Sequence, residues 1–185
     1  MVCVVTIPNL LTVLRFLLVP VVVWAIADGH HILAFAVFVI AGVTDGLDGF
    51  IAKKWNLSSS LGAYLDPLAD KALLVSIFVA LGVVGALPIW LVALVVARDA
   101  LILAAVVVSS LLGQTLPIRP LFVSKLNTVA QILLAALVLA ASAFDLNLAR
   151  PIAVMVLVVA ALTAASAGAY LVAWLRYMSV RTPAK

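Results

Sequence analysis

Apolar residues run along this chain in six long blocks, and the polar residues gather between them. The first block occupies about 8–27 and opens on Pro8, at a position where a helix start tolerates proline. The others fall at about 31–53, 61–84, 88–112, 124–144 and 151–177. Pro88 and Pro151 punctuate two of the entries, and the polar string KWNLSSS divides the second block from the third. A helix needs roughly 20 residues to cross a hydrocarbon layer about 30 Å thick. The pattern therefore predicts an all-α integral membrane protein, a six-transmembrane-helix bundle forming a single domain over residues 1–185.

Composition strengthens that expectation. Of 185 residues, 68% are hydrophobic and 10% charged, whereas a soluble domain is roughly half apolar. No contiguous polar block is large enough for a separate water-soluble domain. The single cysteine, Cys3, excludes an internal disulfide and argues against a thiolate metal site. Ala25-Ile26-Ala27 resembles a signal-peptidase site, but no Lys or Arg precedes Arg15, which itself interrupts the apolar run. No cleavable signal and no transit peptide are expected.

The net charge of +4 follows topology rather than nucleic-acid binding. Lys53, Lys54, Arg119, Lys125, Arg176, Arg181 and Lys185 fall in the connections between spans two and three and between spans four and five, and in the C-terminal segment. The opposite connections hold Arg150, Asp28, Asp145 and two histidines. The positive-inside rule then places both termini in the cytoplasm, and a bacterial inner (plasma) membrane is the simplest expected location. No internal repeat of the transporter kind is visible.

The acidic residues change the picture most. All seven are Asp, and five of them, Asp45, Asp48, Asp66, Asp70 and Asp99, lie within spans or at their cytoplasmic ends. Each charge at a helix centre costs roughly 2.5–3.5 kcal/mol to insert, so five must be paired, hydrated or bound to something. Asp45 and Asp48 stand three apart and Asp66 and Asp70 four apart, so each pair shares a helix face. Gly42, Gly49 and Ala52 join the first pair's face, and Gly62 precedes Asp66 by one turn. Small residues there admit a close helix or a ligand. Two carboxylates from each of two helices form a hard oxygen cage suited to Mg²⁺, Mn²⁺ or Ca²⁺. Arg15, Lys71 and Arg98 leave the spans with an acidic excess, which two divalent cations and a pyrophosphate diester would balance. Arg98–Asp99 is expected to be a structural ion pair. A cation or proton transporter is the rival class, because membrane carboxylates also build relays.

The string DGLDGFIAKKWNLSSSLGAYLDPLADK resembles the signature of the CDP-alcohol phosphotransferase (CDP-alcohol phosphatidyltransferase) family. Asp45, Asp48, Gly49, Ala52, Gly62, Asp66 and Asp70 fit that signature at every spacing, with Lys53 where the family usually has Arg. ARDALILAA (97–105), FVSKLNTVAQ (122–131) and LTAASAGAY (162–170) are similar to stretches of its mitochondrial-type cardiolipin synthase branch. The neighbouring phosphatidylglycerophosphate synthase branch tends to carry a further Arg on span four, where this chain has Val106. An acceptor bearing a dianionic phosphate would want that cation, so its absence favours a phosphodiester acceptor.

The resemblance implies a six-helix membrane fold, a homodimer and CDP-diacylglycerol as donor. It implies two divalent ions, Mg²⁺ or Mn²⁺, held by Asp45, Asp48, Asp66 and Asp70, with Asp70 as candidate general base. Asp48, Gly49, Ala52, Lys53 and Gly62 would meet the diphosphate and nucleotide. Lys53 would act there as a point charge without arginine's bidentate fork. The acceptor, phosphatidylglycerol, would place its phosphate among Arg15, Arg98, Arg119, Lys125 and Asn127, with Thr128 and Gln131 along the same end of span five. Pro67 is expected to kink or start span three. Trp24, Trp55, Trp90 and Trp174 are expected to form an aromatic belt at the span ends, and the Ala-Ser-Gly run of span six to serve close helix packing.

Overall fold

A computed structural model describes the backbone of residues 7–55, 62–111 and 122–179, and the side chains of residues 14–44, 71–104 and 122–172. Among the described residues there are six helices: α1 (Ile7–Ala27), α2 (His31–Trp55), α3 (Gly62–Val83), α4 (Ile89–Leu111), α5 (Phe122–Phe144) and α6 (Ala149–Ser179). Each expected block is one helix, with ends within two residues of those read from the pattern. Phe122–Phe144 and Ala149–Val172 are long and apolar enough to cross a membrane. Shorter apolar stretches run over Leu14–Ala27, His31–Thr44 and Lys71–Val83. α3 begins at Gly62, so Pro67 does not start it. Pro20 inside α1 removes one backbone donor, an omission that membrane helices tolerate.

Three turns repeat one device. After α1, His30 N donates to Ala25 O (2.8 Å) and Gly29 N to Ile26 O (3.3 Å), with Gly29 at φ 76°. After α3, Ala86 N donates to Leu81 O (2.8 Å) and Gly85 N to Gly82 O (3.1 Å), with Gly85 at φ 77°. This is the Schellman closure, which satisfies the last helical carbonyls and asks for a left-handed residue. After α5, Leu146 N reaches Ala141 O (3.0 Å), but the left-handed residue is Asp145, at φ 50°. A side chain there costs roughly 1–2 kcal/mol against glycine. Asp145→Gly should therefore raise the melting temperature by a few degrees, about 2–4 °C per kcal/mol for a chain of this size. An unchanged or lowered melting curve would contradict this account of the turn.

The helices form two compact units. The first comprises Met1–Leu87 with Ala135–Leu148, and the second Pro88–Leu134 with Ala149–Lys185. In the first, α1 packs against both α2 and α3. Its buried stripe on α2 is Ala34, Val37, Phe38 and Ala41, the spacing of one helix face. Val22, Ala25 and Ile26 of α1 and Leu73, Ile77, Phe78 and Leu81 of α3 complete this core with Val138 and Leu139. Alanines beside the large residues let the backbones approach, the usual basis of helix association where lipid competes for apolar surface. Phe35 and Phe144 meet edge to face at 5.4 Å.

In the second unit α4 packs against α6. Leu91, Val92 and Val95 of α4, Ala130 and Leu134 of α5, and Val156 and Val159 of α6 are buried. Both units also carry large exposed apolar side chains, among them Leu17, Ile32 and Ile40 in the first and Leu101, Leu133 and Leu157 in the second. Exposed side chains of this kind suit a hydrocarbon surround. Trp24 and Trp90 are half-exposed near helix ends, as an aromatic belt requires. The side chains of Trp55 and Trp174 lie outside the described residues.

Candidate active site

The four signature aspartates belong to the first unit. α2 is helical from His31 to Trp55 and α3 from Gly62 to Val83, so the i,i+3 and i,i+4 spacings apply as expected. The side chains of Asp45, Asp48, Gly49, Ala52, Lys53, Gly62, Asp66 and Asp70 lie outside the described residues, and Arg119 does so altogether. Among the described residues no three metal-ligating side chains gather. The signature's donor set is all carboxylate oxygen, a chemistry that fits a hard divalent cation.

Arg15 lies in the same unit, on α1, and is buried at 3% exposure. It stands twelve residues before the end of α1, and Asp45 fourteen residues past the start of α2. At 1.5 Å per residue these depths are about 18 and 21 Å from the α1–α2 turn. The arginine's backbone thus sits at about the level of Asp45's, on the helix that packs against both α2 and α3. Gly42, expected to make room on this face, is exposed, and nothing lies within 4 Å of where a Cβ would stand. Among the described residues it makes no helix contact, which leaves the room a ligand would need.

The second unit holds a polar seam. Arg98 on α4 is 2% exposed, and its guanidinium is held from three sides. Nη1 pairs with Asp99 Oδ1 (2.5 Å), Nη2 donates to Ser124 Oγ (2.5 Å) and Ser166 Oγ (2.7 Å), and Nε donates to Ser166 Oγ (3.2 Å). The Tyr170 ring centroid lies 6.0 Å from Arg98 Cζ, at the limit of a cation–π contact. One turn along, Thr163 Oγ1 donates to Asn127 Oδ1 (2.9 Å), and Thr128 Oγ1 to Ser124 O (3.2 Å). The expected Arg98–Asp99 ion pair is present, and it is part of a network joining α4, α5 and α6.

The residue pattern explains where this network sits. On α4 the buried stripe runs Leu91, Val95 and then Arg98; on α6 it runs Val156, Val159 and then Thr163 and Ser166. α5 runs the other way, with Ser124, Asn127 and Gln131 preceding Leu134. All three stripes thus change from apolar to polar toward the same end of the unit, the end predicted to be cytoplasmic.

Two members of the seam have unused capacity. Asn127 is 0% and Gln131 2% exposed, yet Asn127 Nδ2 and Gln131 Nε2 donate to nothing among the described residues. A buried donor left unsatisfied costs about 1–3 kcal/mol. Native folds seldom keep such groups without a use for them. Of the residues expected near the acceptor, then, the seam unites Arg98, Asn127, Thr128 and Gln131. Lys125 is exposed on α5, and Arg15 belongs to the other unit.

Sequence reasoning did not assign Ser124, Thr163, Ser166 or Tyr170 to a site. The Ala-Ser-Gly run of α6 was expected to serve close packing. Thr163 and Ser166 are fully buried, as close packing requires, and they also hydrogen-bond Asn127 and Arg98, while among the described residues Gly168 has nothing within 4 Å of where a Cβ would stand. The available signal was the i,i+3,i+7 spacing of Thr163, Ser166 and Tyr170, which repeats that of Ser124, Asn127 and Gln131. A separate groove of about 730 Å³ in the first unit is lined by Trp24, His30, His31, Ile32, Leu33 and Ala143, beside the α1–α2 turn and far along α2 from Asp45.

Comparison with known proteins bears on both regions. Residues 5–175 match the CDP-alcohol phosphatidyltransferase family. The chain belongs to that family. It is 37% identical over 183 residues to cardiolipin synthase (CMP-forming) of Rattus norvegicus, covering 89% of this chain and 60% of the relative. The figures for cardiolipin synthase (CMP-forming) of Homo sapiens are the same. CDP-diacylglycerol–glycerol-3-phosphate 3-phosphatidyltransferase 1, chloroplastic, of Oryza sativa subsp. japonica is 37% identical over 146 residues, 70% of this chain and 44% of the relative. This chain thus spans 60% of the length of the rat and human proteins. The bacterial inner membrane expected above draws no support from these relatives.

Proposed function

We propose that this chain is a CDP-diacylglycerol-dependent phosphatidyltransferase that makes cardiolipin. It transfers the phosphatidyl group to a glycerol hydroxyl of phosphatidylglycerol and releases CMP. The observation that carries this reading is the complete aspartate–glycine spacing from Asp45 to Asp70, in a chain aligned over 89% of its length with relatives named cardiolipin synthase (CMP-forming). The rice relative, named for glycerol 3-phosphate, matches less of the chain.

In this mechanism Asp45, Asp48, Asp66 and Asp70 would hold two divalent ions, Mg²⁺ or Mn²⁺. Bound there, the ions would neutralise the diphosphate oxygens and the charge that develops on departing CMP. Gly49 and Gly62 leave room for the nucleotide beside α2 and α3, with Ala52 on the same path, and Lys53 meets a phosphate as a point charge. Asp70 accepts the proton of the acceptor hydroxyl. That oxygen forms its bond to the phosphorus bearing diacylglycerol while the bond from that phosphorus to CMP breaks. Arg98 and Asn127, with Arg15, Arg119 and Lys125, are assigned to the acceptor's phosphate. The chain spans the membrane six times as one catalytic domain, with both termini and the carboxylates on the cytoplasmic side, and works as a homodimer.

The test against a transporter uses proteoliposomes containing the purified chain and CDP-diacylglycerol. Divalent-ion-dependent CMP release that chelation stops and metal readdition restores is the expected result. Ion flux without CMP release would place the carboxylates in a relay and end the enzyme reading.

A further inference from the structure

We propose that the groove beside the α1–α2 turn binds a phospholipid with a zwitterionic, ammonium-bearing head group, at a site separate from the aspartates. The proposal rests on the membrane setting read above and not on the transfer chemistry. The groove, of about 730 Å³, lies wholly within the first unit. That is the size of an ordinary small-ligand site, about 300–1,000 Å³. His31 opens α2 fourteen residues before Asp45, about 21 Å along the helix at 1.5 Å per residue. The groove therefore belongs to the opposite end of α2 from the aspartates.

Its lining is amphipathic. Ile32, Leu33, Ala36 and Ala143 supply an apolar wall, and His31 and Ser142 add polar groups to it. Ile32 and Leu33 are themselves exposed, so the wall continues onto the apolar surface that an acyl chain would cover. Trp24, half-exposed, closes one side, and its ring meets that of His30 at 5.2 Å. His30 is fixed in turn by Asp28, its Nε2 lying 3.0 Å from Oδ2. A tryptophan with imidazoles beside it suits the level where head groups meet hydrocarbon.

The surrounding charges select the head group. The ring N–H of His31 and the hydroxyl of Ser142 can donate to a phosphodiester oxygen, whatever the charge of the ring. The acids of this edge are Asp28, joined to the groove through His30, and Asp145, two residues beyond Ala143. Residues 28–30 and 145–148 contain no Lys or Arg, and Arg150 belongs to the other unit. A purely anionic head group would meet these carboxylates with no resident cation to offset them. A zwitterion brings its own cation, placing its phosphate at His31 and Ser142 and its ammonium at the carboxylate of Asp28. Asp28 engages His30 through one oxygen and keeps acceptor capacity for that ammonium.

The experiment records melting curves of the purified full chain in detergent as phosphatidylethanolamine or, separately, phosphatidylglycerol is titrated into the micelles. The parent is compared with His31→Ala, which removes a donor, and Ala36→Phe, which fills the groove, so misfolding of one variant leaves the other decisive. Phosphatidylethanolamine should raise the parent's melting temperature saturably, by roughly 5–11 °C at a hundredfold excess over its dissociation constant. Each variant should shift the midpoint of that titration to about tenfold more lipid, the factor of one lost hydrogen bond. Phosphatidylglycerol lacks the ammonium, and its midpoint should be the same in parent and variants. An unchanged phosphatidylethanolamine midpoint in both variants would mean surrounding lipid only and overturns the proposal. A phosphatidylglycerol midpoint that moves equally with the variants overturns the choice of head group. The readout is binding and not CMP release, so this proposal and the transferase reading fail separately.

Discussion

Asp70→Asn should reduce CMP release by at least three orders of magnitude while the protein remains folded. The substitution keeps the side chain's size and removes its charge and its basicity. A positioned general base contributes typically 10²–10⁴-fold, and under the proposed mechanism the same change would also weaken one ligand of the divalent ions, so the two losses would compound. Stability moves the other way. A carboxylate in a membrane helix costs roughly 2.5–3.5 kcal/mol to insert, and the neutral amide avoids most of that. The expected signature is an unaltered elution profile, an equal or higher melting temperature, and no measurable turnover at saturating metal. Activity within tenfold of the parent would remove Asp70 from the chemistry. Loss of both fold and activity would give the carboxylate a structural part instead.

Arg98→Met should have the largest effect on stability. The guanidinium is almost wholly buried and serves Asp99, Ser124 and Ser166 at once, which ties α4 to both α5 and α6. Breaking a buried ion pair from one side typically costs about 3–5 kcal/mol, because the remaining charge keeps its desolvation penalty. At about 2–4 °C per kcal/mol, the melting temperature should fall by roughly 6–20 °C. Arg98→Met combined with Asp99→Leu should recover part of that loss, since the carboxylate that Arg98 neutralises is removed as well. Thermal melts of the two single variants and the double variant measure the coupling directly. Additive losses would show that the two residues act independently, in conflict with the ion pair described here.

Much of this molecule is legible along the chain, for a physical reason. Six long apolar blocks demand burial or lipid along their whole length, so Pro8, Pro88, Pro151 and the KWNLSSS string mark ends that the six described helices reproduce closely. Asp145 shows where such reading stops. The turns at Gly29 and Gly85 advertise a left-handed residue through glycine, whereas the same closure at Asp145 rests on an ordinary side chain and shows only in its φ angle. The signature aspartates stand out because carboxylates in an apolar run are costly and therefore rare.

The seam is harder to read because its members are individually modest. A serine or threonine in an alanine-rich helix satisfies itself with small packing, and nothing local announces that Ser166 receives two donors from Arg98 sixty-eight residues earlier. Periodicity gives little help, because the lipid face and the buried face of a membrane helix are both apolar. Only the meeting of α4, α5 and α6 shows that ARDALILAA, FVSKLNTVAQ and LTAASAGAY contribute to one polar cluster. Gly42 is the opposite case. Its position one turn before Asp45 suggested room for a close helix or a ligand, and among the described residues no helix fills that room.

The central claim is that these carboxylates activate a lipid alcohol. It is tested most directly by reconstituting the purified chain with CDP-diacylglycerol and Mg²⁺ or Mn²⁺, and offering acceptor alcohols one at a time. Cardiolipin and CMP formed in equal amounts from phosphatidylglycerol, with little product from glycerol 3-phosphate, is the predicted result. Product from glycerol 3-phosphate alone would contradict the choice of acceptor, and absence of CMP with every alcohol would contradict the transferase itself.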